Sequence, residues 1–206
     1  SRLRRKTDTS KIKTSITNKK KRGYIMAKLG IFLATGFEEC EALNVVDVCR
    51  RAGLSIDTIS ITDDKTVVSS HQVPVVADTT LREVDFDALD MIILPGGMPG
   101  TKNLEACEPL MKQLDRFYEE KKCISAICAA PSIFGHRGYL KGREAISYPG
   151  FESHLEGAKI VKEPVVVSDF ITTSRGLGTA LDFGFAIIAR YCGEEKAKEI
   201  AEAIVY

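Results

Sequence analysis

Cys123-Ile124-Ser125-Ala126-Ile127-Cys128-Ala129-Ala130-Pro131 is the stretch on which the reading of this chain turns. Its first five residues are small or apolar and read as a short buried strand, with a helix expected to start near Ala129. The turn between them puts Cys128 at its apex. In a nucleophile elbow the residues two before and two after the nucleophile are small, because the backbone doubles back there and larger side chains would collide. Ala126 and Ala130 hold those positions. A thiol at a helix N-terminus faces free N–H groups and the positive end of the dipole, which is expected to lower its pKa. The same residues also fit a buried structural cysteine, a common core residue. The stretch alone does not choose between the two.

Working outward, Lys28 to Ala34, Leu54 to Ile61 and Met91 to Leu94 are further buried strands, nearly continuous in apolar residues as expected where both sheet faces are covered. Glu144 to Tyr148 reads as a fifth strand, and Val165 to Ser168 with Phe170 to Thr173 as a pair around a turn at Ser168-Asp169. Val67-Val68 and Val73 to Val76 suggest a hairpin at an edge, since Pro74 would break a central ladder. Asp78 to Asp87 reads as loop. Helices are expected over 41–51, 103–106, 109–120, 129–135, 178–191 and 194–204. Gly53 and the Arg50-Arg51 pair mark the end of the first. Strands alternating with helices give an α/β fold with a doubly wound, mostly parallel sheet sandwiched by helices.

The 206 residues, 44% hydrophobic, suffice for one large domain. No apolar run approaches the ~20 residues of a membrane helix. The six cysteines form no CxxC pair and no ligand spacing with the three histidines, so no metal site is expected and the thiols read as reduced, in a cytoplasmic setting. Residues 1–25 hold ten Lys or Arg against one acid; removing that +9 from the net +1 leaves the body at −8. An acidic body argues against nucleic acid as the main partner. The basic segment has no hydrophobic periodicity and reads as a disordered leader outside the fold, ahead of Met26 and the domain of residues 26–206.

In a doubly wound sheet, ligands gather beyond the carboxyl ends of the strands. Glu38, Glu39 and Glu41 follow the first strand, Gly96-Gly97 follows Met91 to Leu94, and Cys128 follows the elbow strand. Amides of Gly97 and Ala129 are candidates for an oxyanion hole. Pro95-Gly96-Gly97 also fits an ordinary tight turn, and a carboxyl at a helix start also fits a capping charge. Glu38 and Glu39 read as solvated. His71, His136 and His154 read as surface or helix-end residues, with His154 the one nearest to a candidate site because it follows Tyr148-Pro149. Arg175 reads as part of a structural or interface ion pair. The other cysteines read as packing or partly exposed thiols, with Cys40 the first to meet an oxidant.

Gly36-Phe37-Glu38-Glu39-Cys40-Glu41, Leu94-Pro95-Gly96-Gly97, Ala126 to Pro131 and Thr173-Ser174-Arg175-Gly176-Leu177-Gly178-Thr179 occur in order and register. Together they resemble the ThiJ/PfpI superfamily, in its Parkinson-disease deglycase (DJ-one) branch, from about Lys28 to Ala203. The resemblance implies a flavodoxin-like fold and a homodimer, through the helix of residues 42–52. It implies a cofactor-free site in which Cys128 is the reactive cysteine and Glu41 the acid hydrogen-bonded to it. Gly97 and Ala129 match the oxyanion positions, with Gly96, Tyr148 and His154 as pocket residues. The activities implied are a glutathione-independent glyoxalase acting on small dicarbonyls and a deglycase acting on glycated adducts; redox-sensor and chaperone roles are the alternative. Two departures stand out. Ala129 replaces the histidine of peptidase-like members, and Tyr148 stands before Pro149 where the branch carries a histidine, which puts more of the proton transfer on Glu41.

Overall fold

A computed structural model describes residues 26–206. The expectations for residues 1–25 lie outside the described residues. The strands are β1 (Lys28–Leu33), β2 (Ser55–Ser60), β3 (Thr66–Val68), β4 (Pro74–Val76), β5 (Thr79–Thr80), β6 (Met91–Leu94), β7 (Cys123–Ile127), β8 (Glu144–Ala145), β9 (Lys159–Ile160), β10 (Val165–Ser168) and β11 (Ile171–Ser174). The helices are α1 (Glu39–Arg51), α2 (Gly100–Glu105), α3 (Glu108–Glu119), α4 (Pro131–His136), α5 (Ala180–Cys192) and α6 (Glu194–Ala203).

A seven-stranded sheet runs in the order β10-β11-β7-β6-β1-β2-β5. Every neighbouring pair in it is parallel except β10 and β11, which form an antiparallel hairpin at one edge. The central order β2-β1-β6-β7-β11 is that of a flavodoxin-like sheet, with its switch in winding between β1 and β6. The strand alternation divides the core in two. Leu29, Ile31, Leu33, Met91 and Ile93 pack under α1, α5 and α6, while Phe32, Ile92, Leu94, Ile124 and Ala126 pack under α2, α3 and α4. Both faces are covered, which is why these strands read as apolar runs rather than alternating ones. No helix among the described residues is long and apolar enough to cross a membrane.

Two expectations about the strands and one about a helix need correction. Glu144 to Tyr148 does not enter the main sheet: only Glu144–Ala145 is strand, paired with Lys159–Ile160 in a separate ribbon. The chain there is diverted because Ile146 N–H donates to the Thr173 side chain and Tyr148 N–H to the Cys128 carbonyl, so its backbone bonds go to the elbow. Within the expected loop 78–87, Thr79–Thr80 extends the sheet edge, anchored by Asp78, whose carboxylate accepts from Thr58 N–H and Oγ1. Helix α4 begins at Pro131, two residues later than Ala129, since proline is suited to the first helical turn. The hairpin β3–β4 forms its own small sheet.

The segment after β8 is seated on α4 by direct backbone contact. A Cβ at Gly135 would lie 1.9 Å from the His154 carbonyl oxygen, so the helix and the 3-10 turn Glu152–His154 cannot both keep their places with a larger residue there. Gly135→Ala should therefore destabilise the fold by about 1–3 kcal/mol as an overpacking substitution. Urea unfolding checks this, and an unchanged midpoint would contradict it.

Candidate active site

The switch in winding falls between β1 and β6, and three neighbouring strand ends meet at the carboxyl end of the sheet there: β1 leads to α1 and Glu41, β6 to Gly96-Gly97, β7 to Cys128. Cys128 has φ 65°, a left-handed conformation unusual for a residue with a Cβ. The reversal is held by Cys128 N–H donating to the Ser174 carbonyl at 3.0 Å and by Tyr148 N–H donating to the Cys128 carbonyl at 2.8 Å. Backbone strain at a functional residue persists where its surroundings over-determine it. Here neighbouring segments grip both sides of the peptide.

Glu41 sits in the first turn of α1 and is 1% exposed. Its neighbour Glu38 caps the helix: the Glu38 carboxylate accepts from Glu41 N–H at 2.6 Å, and Glu38 N–H donates to the Gly96 carbonyl. The Glu41 Oε2 atom accepts from Gly96 N–H at 2.9 Å, and the Cys128 thiol lies beside the carboxyl, close enough for each group to shift the other's proton affinity. The amides of Gly97 and Ala129 flank the Cys128 sulfur and favour its charged form. Glycine is required at 96, because a Cβ there would lie 2.5 Å from Cys128 Cβ and 2.7 Å from Glu41 Oε2. At Gly97, φ is +93° and a Cβ would lie 2.5 Å from the Glu38 nitrogen.

Burial pushes the Glu41 carboxyl up to about 7, aided by the nearby Glu38 charge and opposed by its bonds to Cys128 and Gly96. Burial also pushes the Cys128 thiol up to about 12, followed by the Glu41 charge and its hydrogen bond, with the Ala129 and Gly97 amides pulling the other way. The expected lowering of the thiol by a helix N-terminus is therefore overturned: α4 is short and starts three residues beyond Cys128, and desolvation beside an acid outweighs it. The two groups act as one. Each charge disfavours the other, so the pair is neutral below about pH 7 and above it holds a single negative charge, as thiol with carboxylate or as the rarer thiolate with carboxylic acid.

The other candidates fall at the rim or beyond it. Tyr148 is 50% exposed, with its ring against Gly176, and meets Cys128 through its backbone. His154 faces His136 on α4. Glu38 and Glu39 are not simply solvated: Glu39 pairs with His71 at 2.9 Å, tying the β3–β4 hairpin to the start of α1. Arg175 forms no ion pair among the described residues, and its Nε is buried without a partner. Cys40 is exposed, and its thiol is pushed up by burial and by the charges of Glu38, Glu39 and Glu41. The Gly96–Glu41 bond was not foreseen; the small residue at 96 was its only trace in the sequence.

The model of the DJ-1/PfpI family matches residues 27–190. The chain belongs to the DJ-1/PfpI family. It is 36% identical over 172 residues to protein DJ-1 homolog B of Arabidopsis thaliana, covering 83% of this chain and 39% of that protein. It is 30% identical to the glutathione-independent glyoxalase DJR-1.2 of Caenorhabditis elegans, covering 81% and 89%. Among solved structures, oxidized Toxoplasma gondii DJ-1 superposes with a TM-score of 0.84 at 33% identity, covering 87% of this chain and 98% of that one. The chain spans less than half the length of the Arabidopsis relatives, 39% of homolog B and 44% of homolog A.

The raised Glu41 pKa has a consequence for stability within this DJ-1/PfpI fold. A carboxyl whose pKa rises from 4.5 to about 7 on folding contributes its full stability below pH 4.5 and loses it as pH rises through 7. Glu41→Gln keeps the shape of the protonated acid and removes the titration. The variant's stability relative to the natural protein should rise by about 3 kcal/mol between pH 4.5 and pH 8, an order-of-magnitude figure from the shift. Urea midpoints at the two pH values test it; parallel pH dependence in both proteins would contradict it.

Proposed function

We propose that this protein is a cofactor-free cysteine enzyme acting on small reactive carbonyls, of the glyoxalase or deglycase type. The observation that carries this reading is the buried Glu41 carboxyl beside the Cys128 thiol, with the Gly97 and Ala129 amides flanking the same sulfur. The naming of the Caenorhabditis elegans relative as a glutathione-independent glyoxalase supports it.

Methylglyoxal shows how the residues divide the work. The Cys128 thiolate attacks the aldehyde carbon, forming a carbon–sulfur bond while the carbonyl electrons move to oxygen. That oxygen takes the place of the sulfur charge before the Gly97 and Ala129 amides, which are already aimed there. Glu41, the acid of the pair, gives its proton to the oxygen and becomes a carboxylate. It then removes the proton from the former aldehyde carbon and returns it to the neighbouring carbon, while the hydroxyl proton passes from the first oxygen to the former ketone oxygen, converting the hemithioacetal to the lactoyl thioester. Water cleaves the thioester, releasing lactate and the thiol. The sum is methylglyoxal plus one water, with no external oxidant or reductant. A carboxyl titrating near 7 serves as acid and base at neutral pH. Tyr148 supplies no imidazole, so each proton step falls to Glu41.

Cys128→Ala should abolish methylglyoxal consumption, and Glu41→Ala should lower kcat/KM by about 10²–10⁴-fold. Full turnover by the Cys128 variant would end the proposal. A redox-sensor reading is favoured by one feature: the amides and acid facing sulfur would equally hold a sulfinate. Peroxide-driven sulfinate at Cys128 without dicarbonyl turnover would select it. We also read the outer face of α1, with Leu43 39% exposed, as a homodimer contact. Light scattering should give twice the monomer mass, and Leu43→Glu should shift it toward monomer; a monomer at all concentrations would remove this claim.

A further inference from the structure

Away from Cys128, three elements bring one carboxylate and two imidazoles into a chain. Glu105 ends α2, His136 ends α4, and His154 ends the 3-10 turn beyond β8. Glu105 Oε1 lies 2.6 Å from His136 Nδ1, and His136 Nε2 lies 2.9 Å from His154 Nδ1. A carboxylate only accepts, so His136 Nδ1 carries the proton given to Glu105. In the neutral ring this leaves Nε2 as a bare lone pair, turned toward His154. A carboxylate fixing one ring nitrogen of a histidine so that the other can ligate is the usual outer support of a metal-bound imidazole.

The spacing agrees with a metal. With metal–nitrogen distances of about 2.0–2.1 Å, two ligand nitrogens stand about 2.9 Å apart at a right angle and about 3.3 Å apart in a tetrahedron. The observed 2.9 Å is the length of the hydrogen bond that joins the two rings here; it also equals the right-angle value, which suits the tetragonal preference of Cu²⁺ or Ni²⁺, and Zn²⁺ requires a shift of a few tenths of an ångström. The rings meet nearly edge to face, at 75° with centroids 5.1 Å apart. The placement is rigid, because Gly135 and the His154 carbonyl are in backbone contact beside the rings. Glu38, Glu39 and His71 form another cluster of ligand atoms within 4.8 Å, but their carboxylates are already used in capping Glu41 N–H and holding His71.

We propose that His136 Nε2 and His154 Nδ1 form a divalent metal site for Ni²⁺, Cu²⁺ or Zn²⁺, with Glu105 orienting His136 and water filling the remaining positions. Binding exchanges the proton between the two rings for the metal and releases it to solvent. The ion would staple α4 to the turn beyond β8.

The test uses Ni²⁺ alone, followed by calorimetry, by the thermal midpoint and by the ring resonances of the three histidines, assigned from single His→Gln variants. Expected are one bound equivalent, broadening of the His136 and His154 signals before that of His71, and a rise in the midpoint. Glu105→Gln should weaken binding by about 10–100-fold, and His136→Gln should remove it. Each substitution is on the surface and leaves the Cys128 site in place. No uptake, broadening of His71 first, thiolate–nickel absorption without a histidine effect, or equal affinity in Glu105→Gln would overturn the proposal.

Discussion

An acid side chain is buried at the heart of this protein, and among the described residues no cation pairs with it. Glu41 is 1% exposed, and its partners are an amide N–H and a thiol. Ionising it there is costly, because a lone carboxylate loses its hydration without a counter-charge in return. The protein meets that cost by keeping the carboxyl protonated up to about pH 7. Much of the local architecture serves this one arrangement. The switch in winding between β1 and β6 brings the strand ends together, Glu38 fixes the first turn of α1, and glycine at 96 lets the backbone come within reach of both groups.

The fold was largely legible in the sequence, since both sheet faces are covered and the strands advertise themselves as apolar runs. β1, β2, β6 and β7 and the helices that follow them agree with the expectation to within a few residues. The failures have a common cause. Glu144 to Tyr148 has a strand-like composition, but its backbone hydrogen bonds are taken by Thr173 and the Cys128 carbonyl, which lie far off in sequence. Thr79–Thr80 is too short and too polar to signal an edge strand, and only pairing with β2 makes it one.

At the candidate site, the fold brings Cys128, Glu41, Gly97 and Ala129 together as the sequence motifs led one to expect, but their electrostatics were not legible there. A local rule, the thiol at a helix start, predicted a lowered pKa. Desolvation and the neighbouring acid reverse it, and both depend on distances that no local pattern contains. The same holds for Glu105, His136 and His154. Their sequence separations match no ligand motif, and only the fold places them in line. Glu38 and Glu39, expected in solvent, turned out to cap a helix and hold a hairpin, roles set by tertiary contacts with Gly96 and His71.

The account stands or falls on the protonation of one carboxyl. Infrared difference spectra between the natural protein and Glu41→Gln, followed from pH 5 to 9, observe it directly. A protonated carboxylic acid band should persist to near pH 7 and vanish above it, tracking the raised value of about 7. Only carboxylate bands at pH 6, with none from the acid, would show an ordinary ionised glutamate and contradict the shared-proton pair.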